Sequence, residues 1–167
     1  GEMTEENITA EAVNSNVPIS GKFECSNDLF NKINNAYVRS QLDNMHGSIA
    51  SDCPHRERLA YTGDGEVACP AAMANLDAAS FYNQWIAEIR ASQNKTTGFV
   101  PNAAPWEPGA GGGVPWGAAM NIMPWEFYKY YGDKKMLEDN YDAMKHHISY
   151  MQTWVKDNIM EKCDPQY

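Results

Sequence analysis

Four carboxylates stand within sixteen positions in SDCPHRERLAYTGDGE, residues 51–66: Asp52, Glu57, Asp64 and Glu66, interleaved with His55, Arg56 and Arg58. Carboxylates at this density suit two kinds of chemistry. An ionised carboxylate accepts hydrogen bonds from neighbouring hydroxyls, and a protonated one can hand its proton to a departing oxygen as a general acid. Aromatic side chains that could cover the apolar C–H face of a polyol follow downstream at Phe99 and Trp106. Together these groups suit a carbohydrate. A plainer arrangement uses the same residues: Asp52, Glu57 and Asp64 cap helices and pair with Arg56 and Arg58 in a solvated loop.

The elements that must position this segment read as helices. Ser26 is a plausible N-cap with Asp28 in the first turn, and Leu29, Phe30, Ile33, Tyr37 and Leu42 then fall on one face. Ala71 to Asp77 is alanine-rich and predicted helical, with Pro70 in or near its first turn, where a missing N–H costs little. Phe81, Trp85, Ile86 and Ile89 repeat at helical spacing through residues 80–93. The stretch NKTTGFVPNAAPWEPGAGGGVPW breaks every period and reads as a long functional loop. Trp116 to Tyr131 reads as a helix kinked at Pro124, and Gly132-Asp133 as a stop followed by a new N-cap. Leu137, Tyr141, Met144, Ile148, Met151 and Val155 give the strongest periodic signal in the chain. No strand pattern stands out over residues 26–160. The fold class is therefore all-α, made of antiparallel helical hairpins whose short turns gather at one end and whose long loops, 44–62 and 94–115, gather at the other. The carboxylate cluster and the glycine-rich loop are then expected to meet across one cleft.

Composition narrows the partners. A length of 167 residues with 43 % apolar and 11 % aromatic content can build a core, while a net charge of −9 and the lack of a Lys/Arg run argue against nucleic acid or an anionic membrane face. No apolar stretch approaches the roughly 18 residues of a membrane span. The expected state is soluble, and both secreted and periplasmic locations are compatible with it. Gly1-Glu2-Met3 does not look like a natural start, so more chain is expected upstream, and residues 1–24, with Val13, Val17, Pro18, Ile19 and Phe23 among polar residues, read as an extended lead-in. Cys25, Cys53, Cys69 and Cys163 lie far apart with no C-x-x-C, which signals no metal site and is best met by buried free thiols.

The segment SDCPHRERLAYTGDGE closely resembles the signature of the α-L-rhamnosidases of glycoside hydrolase family 78: an Asp-Cys-Pro, an Arg, a Glu-Arg, then an aromatic followed by Gly-Asp. The resemblance runs over residues 20–155. SGKFECSNDLFNKI is similar to the family's entry into its first catalytic-domain helix, PWGAAMNIMPW to its Trp-Gly segment, and YKYYGD to the turn that follows. It implies an (α/α)6 toroid, of which residues 25–167 would be the N-terminal portion. It also implies hydrolysis of terminal α-L-rhamnosides with inversion, needing no metal or cofactor. By the same resemblance Glu57 matches the general acid, Asp52, Arg56 and Asp64 match positions that hold the sugar's hydroxyls or flank the acid, and Tyr61 and Trp116 match aromatics that pack on rhamnose. Tyr61 stands where many members have Trp, His55 where Gln is more usual, and Ala118 where Asp often follows Trp-Gly.

Twelve helices with their loops need on the order of 350 residues. About five helices are expected here. The family's general base, a Glu from a later helix, has no match, and Glu107 on the glycine-rich loop is the in-chain candidate. The expectation is thus a fragment that carries the acid half of the site. Its partners would be a rhamnose-containing glycoside and the remainder of the catalytic domain, with self-association where that remainder is missing. The competing class is a non-catalytic sugar-binding or packing fragment of a helical-toroid carbohydrate protein.

Overall fold

The computed structural model describes residues 4–105 and 111–160. Among them five helices exceed ten residues: α1 (Asp28–Asn44), α2 (Thr62–Asn75), α3 (Ala79–Ser92), α5 (Ala119–Tyr131) and α6 (Lys134–Gln152), with a short α4 (Gly113–Gly117) between the third and fourth of them. The all-α expectation holds, with two small additions. β1 (Met45–His46) pairs antiparallel with β2 (Ile49–Ala50), and β3 (Val155–Lys156) with β4 (Ile159–Met160). Both hairpins follow from their turns. Gly47 takes φ +66° in the first, and Asp157 and Asn158 take +51° and +62° in the second, the left-handed pair that matches strand twist.

Several boundaries differ from the expected ones for local reasons. Asn27, not Ser26, caps α1: its side chain accepts from the Leu29 N–H at 3.0 Å. α2 begins at Thr62, so Asp64 and Glu66 lie on its first turns and Pro70 lies inside the helix. The proline removes the N–H that the Glu66 carbonyl would have received, and the Cys69 thiol donates to that carbonyl instead at 3.2 Å. α5 runs through Pro124 without a break in the helix, and a separate boundary at Gly117-Ala118 divides α4 from α5. Gly132, at φ +68°, and Asp133, whose side chain accepts from the Lys135 N–H at 2.9 Å, end α5 and start α6 as expected.

The core lies where α2, α3 and α5 converge, around Trp85, Tyr82, Ile86, Ile89, Met120 and Met123. Trp85 donates its indole N–H to the Ala104 carbonyl at 2.9 Å, which ties the long 93–112 loop to α3. Gly65 makes room for it: a Cβ there would sit 2.2 Å from the indole ring. The lead-in is fastened to the far end of α2, where Ser20 and Gly21 donate to the Asn75 carbonyl and Asp77 to that of Pro18.

The outer helices bury less than their patterns suggest. On α1, Val38 is buried and Tyr37 and Leu42 pack against the core, yet Phe30 and Ile33 are 54 % and 56 % exposed. On α6 the buried positions are Met136, Asn140, His147 and Tyr150, one step around the helix from the predicted stripe, and Tyr141 is 58 % exposed. Val155, expected to close that stripe, has left the helix and is exposed. A helix with two apolar faces of which one is covered implies a second neighbour.

Candidate active site

The 51–61 loop is held by pairing with the 93–112 loop. Tyr61 bridges Ala103 antiparallel, the Ala104 N–H donates to Ala60, and the Thr62 N–H donates to Asn102 at 2.8 Å. Asp52 closes the loop on itself by donating its N–H to Leu59. The chain turns back through Cys53, whose carbonyl accepts from Arg56 and from Arg58, the latter at φ +57°.

This pairing opens a cleft of about 510 Å³ between α1, α2 and α4, lined by Asp52, Asp64, Glu66, Tyr37, Gln41 and Trp116 among others. Three of the six expected site residues therefore share it. Trp116 is fixed from three sides. The buried Thr62 hydroxyl donates to its carbonyl at 2.9 Å, and a Cβ on Gly63 or Gly112 would lie 2.9 Å and 2.6 Å from its indole ring. Gly117 beside it is pressed against His147 Nε2, 2.7 Å from where a Cβ would be. His147, on α6, is a packing residue, buried against Gly117. Burial holds it down to about 4, and as a neutral ring it sits with Nδ1 2.6 Å from Asn121 Oδ1.

Glu57, Arg56 and Tyr61 do not line the cleft. Glu57 stands beside it, coupled to Asp52 through Cys53: the thiol lies 2.8 Å from Glu57 Oε2 and 3.0 Å from Asp52 Oδ2. Lodged between two acceptors, the thiol is pushed up to about 11 by hydrogen bonding to Asp52 and then to Glu57, and it serves as a donor rather than a thiolate. Burial works to raise Asp52, but hydrogen bonds that it accepts from Cys53 and from Glu57 outweigh it and hold Asp52 below the usual carboxylate range. Among the described residues, Asp52, Cys53 and Glu57 are the only group with three potential ligand atoms close together, within 4.8 Å of one another. Arg56 pairs with Glu57 at 3.2 Å from a side chain 77 % exposed, so the pair is worth little by itself. Burial and then the nearby Asp52 raise Asp64.

Two cysteine expectations change. Cys69 is buried, but Cys25 and Cys53 are half-buried. Phe99, expected in the cleft wall, packs edge-on against Tyr150 of α6 instead. Trp106, Glu107 and Cys163 lie outside the described residues. Reasoning from spacing overlooked Tyr37 and Gln41, whose positions facing α2 depend on how α1 is laid across it. It noted Glu66 without assigning it a role, although a carboxylate two residues after Asp64 was the available signal.

Two polar groups of the cleft lack a hydrogen-bond partner. Asp52 Oδ1 is shielded from solvent without a hydrogen-bond partner, and an unmade bond of that kind costs about 1–3 kcal/mol. Trp116 Nε1 is likewise shielded and unpartnered, a donor without an acceptor. A polyol carries both complements.

Residues 18–167 match the bacterial alpha-L-rhamnosidase 6 hairpin glycosidase domain. The chain belongs to that family. An α-L-rhamnosidase of Formosa agariphila is 32 % identical over 96 % of this chain, and one from Alteromonas sp. (strain LOR) is 34 % identical over 91 %. The solved α-L-rhamnosidase from Dictyoglumus thermophilum superposes with a TM-score of 0.90 at 32 % identity, covering 96 % of this chain and 18 % of that enzyme. The Streptomyces avermitilis α-L-rhamnosidase, solved in complex with L-rhamnose, gives 0.81 at 28 % identity over 86 % of this chain and 14 % of its own. The chain spans 18 % and 16 % of the two curated relatives. In a six-hairpin rhamnosidase domain, five long helices are fewer than half of the twelve that close the ring. Among the described residues no helix is long and apolar enough to cross a membrane.

Proposed function

We propose that this chain carries the acid half of an inverting glycosidase site that releases terminal α-L-rhamnose from glycosides. The observation that supports it most is the meeting of Asp52, Asp64 and Trp116 in one cleft of a rhamnosidase-family fold. In this reading Asp52 and Asp64 accept from the sugar's hydroxyls while Trp116 covers its apolar face, where a 6-deoxy sugar offers a methyl group. Glu57, 30 % exposed beside the cleft, protonates the departing glycosidic oxygen. Arg56 and Tyr61 hold the loop that carries Glu57, Arg56 through its ion pair and Tyr61 through its bridge to Ala103. The base that activates water comes from a later hairpin, about 6.5–9.5 Å from the acid, the separation inversion needs.

Two measurements on the full-length enzyme test this reading. Proton NMR of the first product released from an α-L-rhamnoside should show the β-anomer; the α-anomer appearing first would refute inversion. Asp52→Asn and Asp64→Asn should each weaken L-rhamnose binding by about 1.5–3 kcal/mol, as lost charge-assisted hydrogen bonds do. Unchanged affinity with a lower melting temperature would assign these carboxylates to holding the loop instead.

A further inference from the structure

Glu66 closes the signature segment, lines the cleft and has no part in the reading above. It projects from the second turn of α2, half-buried, with Oε2 shielded from solvent and without a hydrogen-bond partner. The ionisable groups around it offer no compensating cation. α1 contributes Tyr37 to the cleft, the 51–61 loop contributes Asp52, and α2 itself contributes Asp64; among the described residues no Lys, Arg or His lines it. On the side of α2 facing α5, Cys69 feels Glu66 together with Glu126 and Lys129, but Lys129 is paired with Glu126 at 2.7 Å. A carboxylate in such a place loses hydration and gains no counter-charge, so the neutral acid is favoured. Burial accordingly pushes Glu66 up to about 7.

A neutral carboxylic acid does what an ionised carboxylate cannot: it donates. Sugar hydroxyls present acceptor lone pairs as well as hydrogens, and an ionised Asp52 answers only the hydrogens. We propose that Glu66 contacts the bound sugar and donates its carboxyl hydrogen to a sugar oxygen, which makes it a substrate-binding residue of this cleft. The inference rests on the rhamnoside reading of the site.

The test is L-rhamnose binding to the full-length enzyme by calorimetry between pH 6 and pH 8, for the wild type, Glu66→Gln and Glu66→Ala. The donor form is present below pH 7 and lost as pH rises through it, so wild-type affinity should fall about tenfold across this range. Glu66→Gln keeps an N–H donor that does not titrate; its affinity should stay within about threefold of the wild type at pH 6 and should not fall by pH 8. Glu66→Ala should bind about tenfold more weakly at pH 6, the loss of one hydrogen bond. A glutamine variant that keeps the wild-type pH dependence overturns the proposal, even if the alanine variant fails to fold. If Asp52→Asn and Asp64→Asn weaken binding while both Glu66 variants leave it unchanged, the contact falls and the rhamnoside reading stands. A wild-type enzyme that binds no L-rhamnose at any pH overturns both.

Discussion

In the full-length enzyme, Glu57→Gln should lower kcat on a rhamnoside with a poor leaving group by about 10²–10⁴-fold, the usual contribution of a general acid, while L-rhamnose affinity stays within about threefold. The amide keeps the size and planarity of the carboxyl and can still accept from the Cys53 thiol, which now lies 2.8 Å from Glu57 Oε2. It cannot release a proton. The loss should shrink when the leaving group is p-nitrophenolate, which departs without protonation, and that dependence separates a lost acid from a disturbed fold. Near wild-type kinetics on the poor leaving group would remove Glu57 from the acid's role. The neighbouring geometry makes the experiment selective, because Asp52 sits 3.0 Å from the other side of the same thiol and should keep its position when Glu57 becomes an amide.

The second large effect concerns the 167 residues made alone. They should self-associate or melt without cooperativity, and they should not hydrolyse an α-L-rhamnoside. Leu29, Phe30 and Ile33 on α1, and Tyr141 and Ile148 on α6, are exposed apolar side chains at the two ends of the helical arc. At about 25 cal/mol per Å², a few hundred Å² of apolar surface left wet amounts to several kcal/mol, comparable to the whole stability of a domain. In the 167 residues made alone these exposed faces are open to a second copy. Light scattering and thermal melting, run beside a p-nitrophenyl rhamnoside assay, decide the matter. A monodisperse monomer with a cooperative transition would refute the open-arc argument. Turnover by that monomer would place a base within these residues.

Much of this was legible before any coordinates. The order of helices followed from periodicity and stop signals, and Gly132-Asp133 ended one helix and began the next because a left-handed C-cap and a side-chain N-cap are local chemistry. The family was legible from the signature segment and the Trp-Gly segment. That the two long loops would meet was also legible, since alternating short and long connections place long loops at one end. Faces were not. On α6 both 137/141/144/148/151 and 136/140/147/150 satisfy a helical period; the second is the buried one, while the stronger apolar stripe is half-buried at Leu137, Met144 and Met151 and exposed at Tyr141 and Ile148. Periodicity reports that a face is apolar; which neighbour covers it depends on helices far along the chain. The same limit governed the site. Asp52, Asp64 and Trp116 could be named from their motifs. The thiol between Asp52 and Glu57 depends on the turn the 51–61 loop makes through Cys53, while the glycines that seat Trp116 and the surroundings of Glu66 arise only when α1, α2 and α4 are brought together. Residue type and spacing determined which groups are available to this protein. Burial and approach, set by tertiary packing, decided their protonation and therefore which of them accept and which donate.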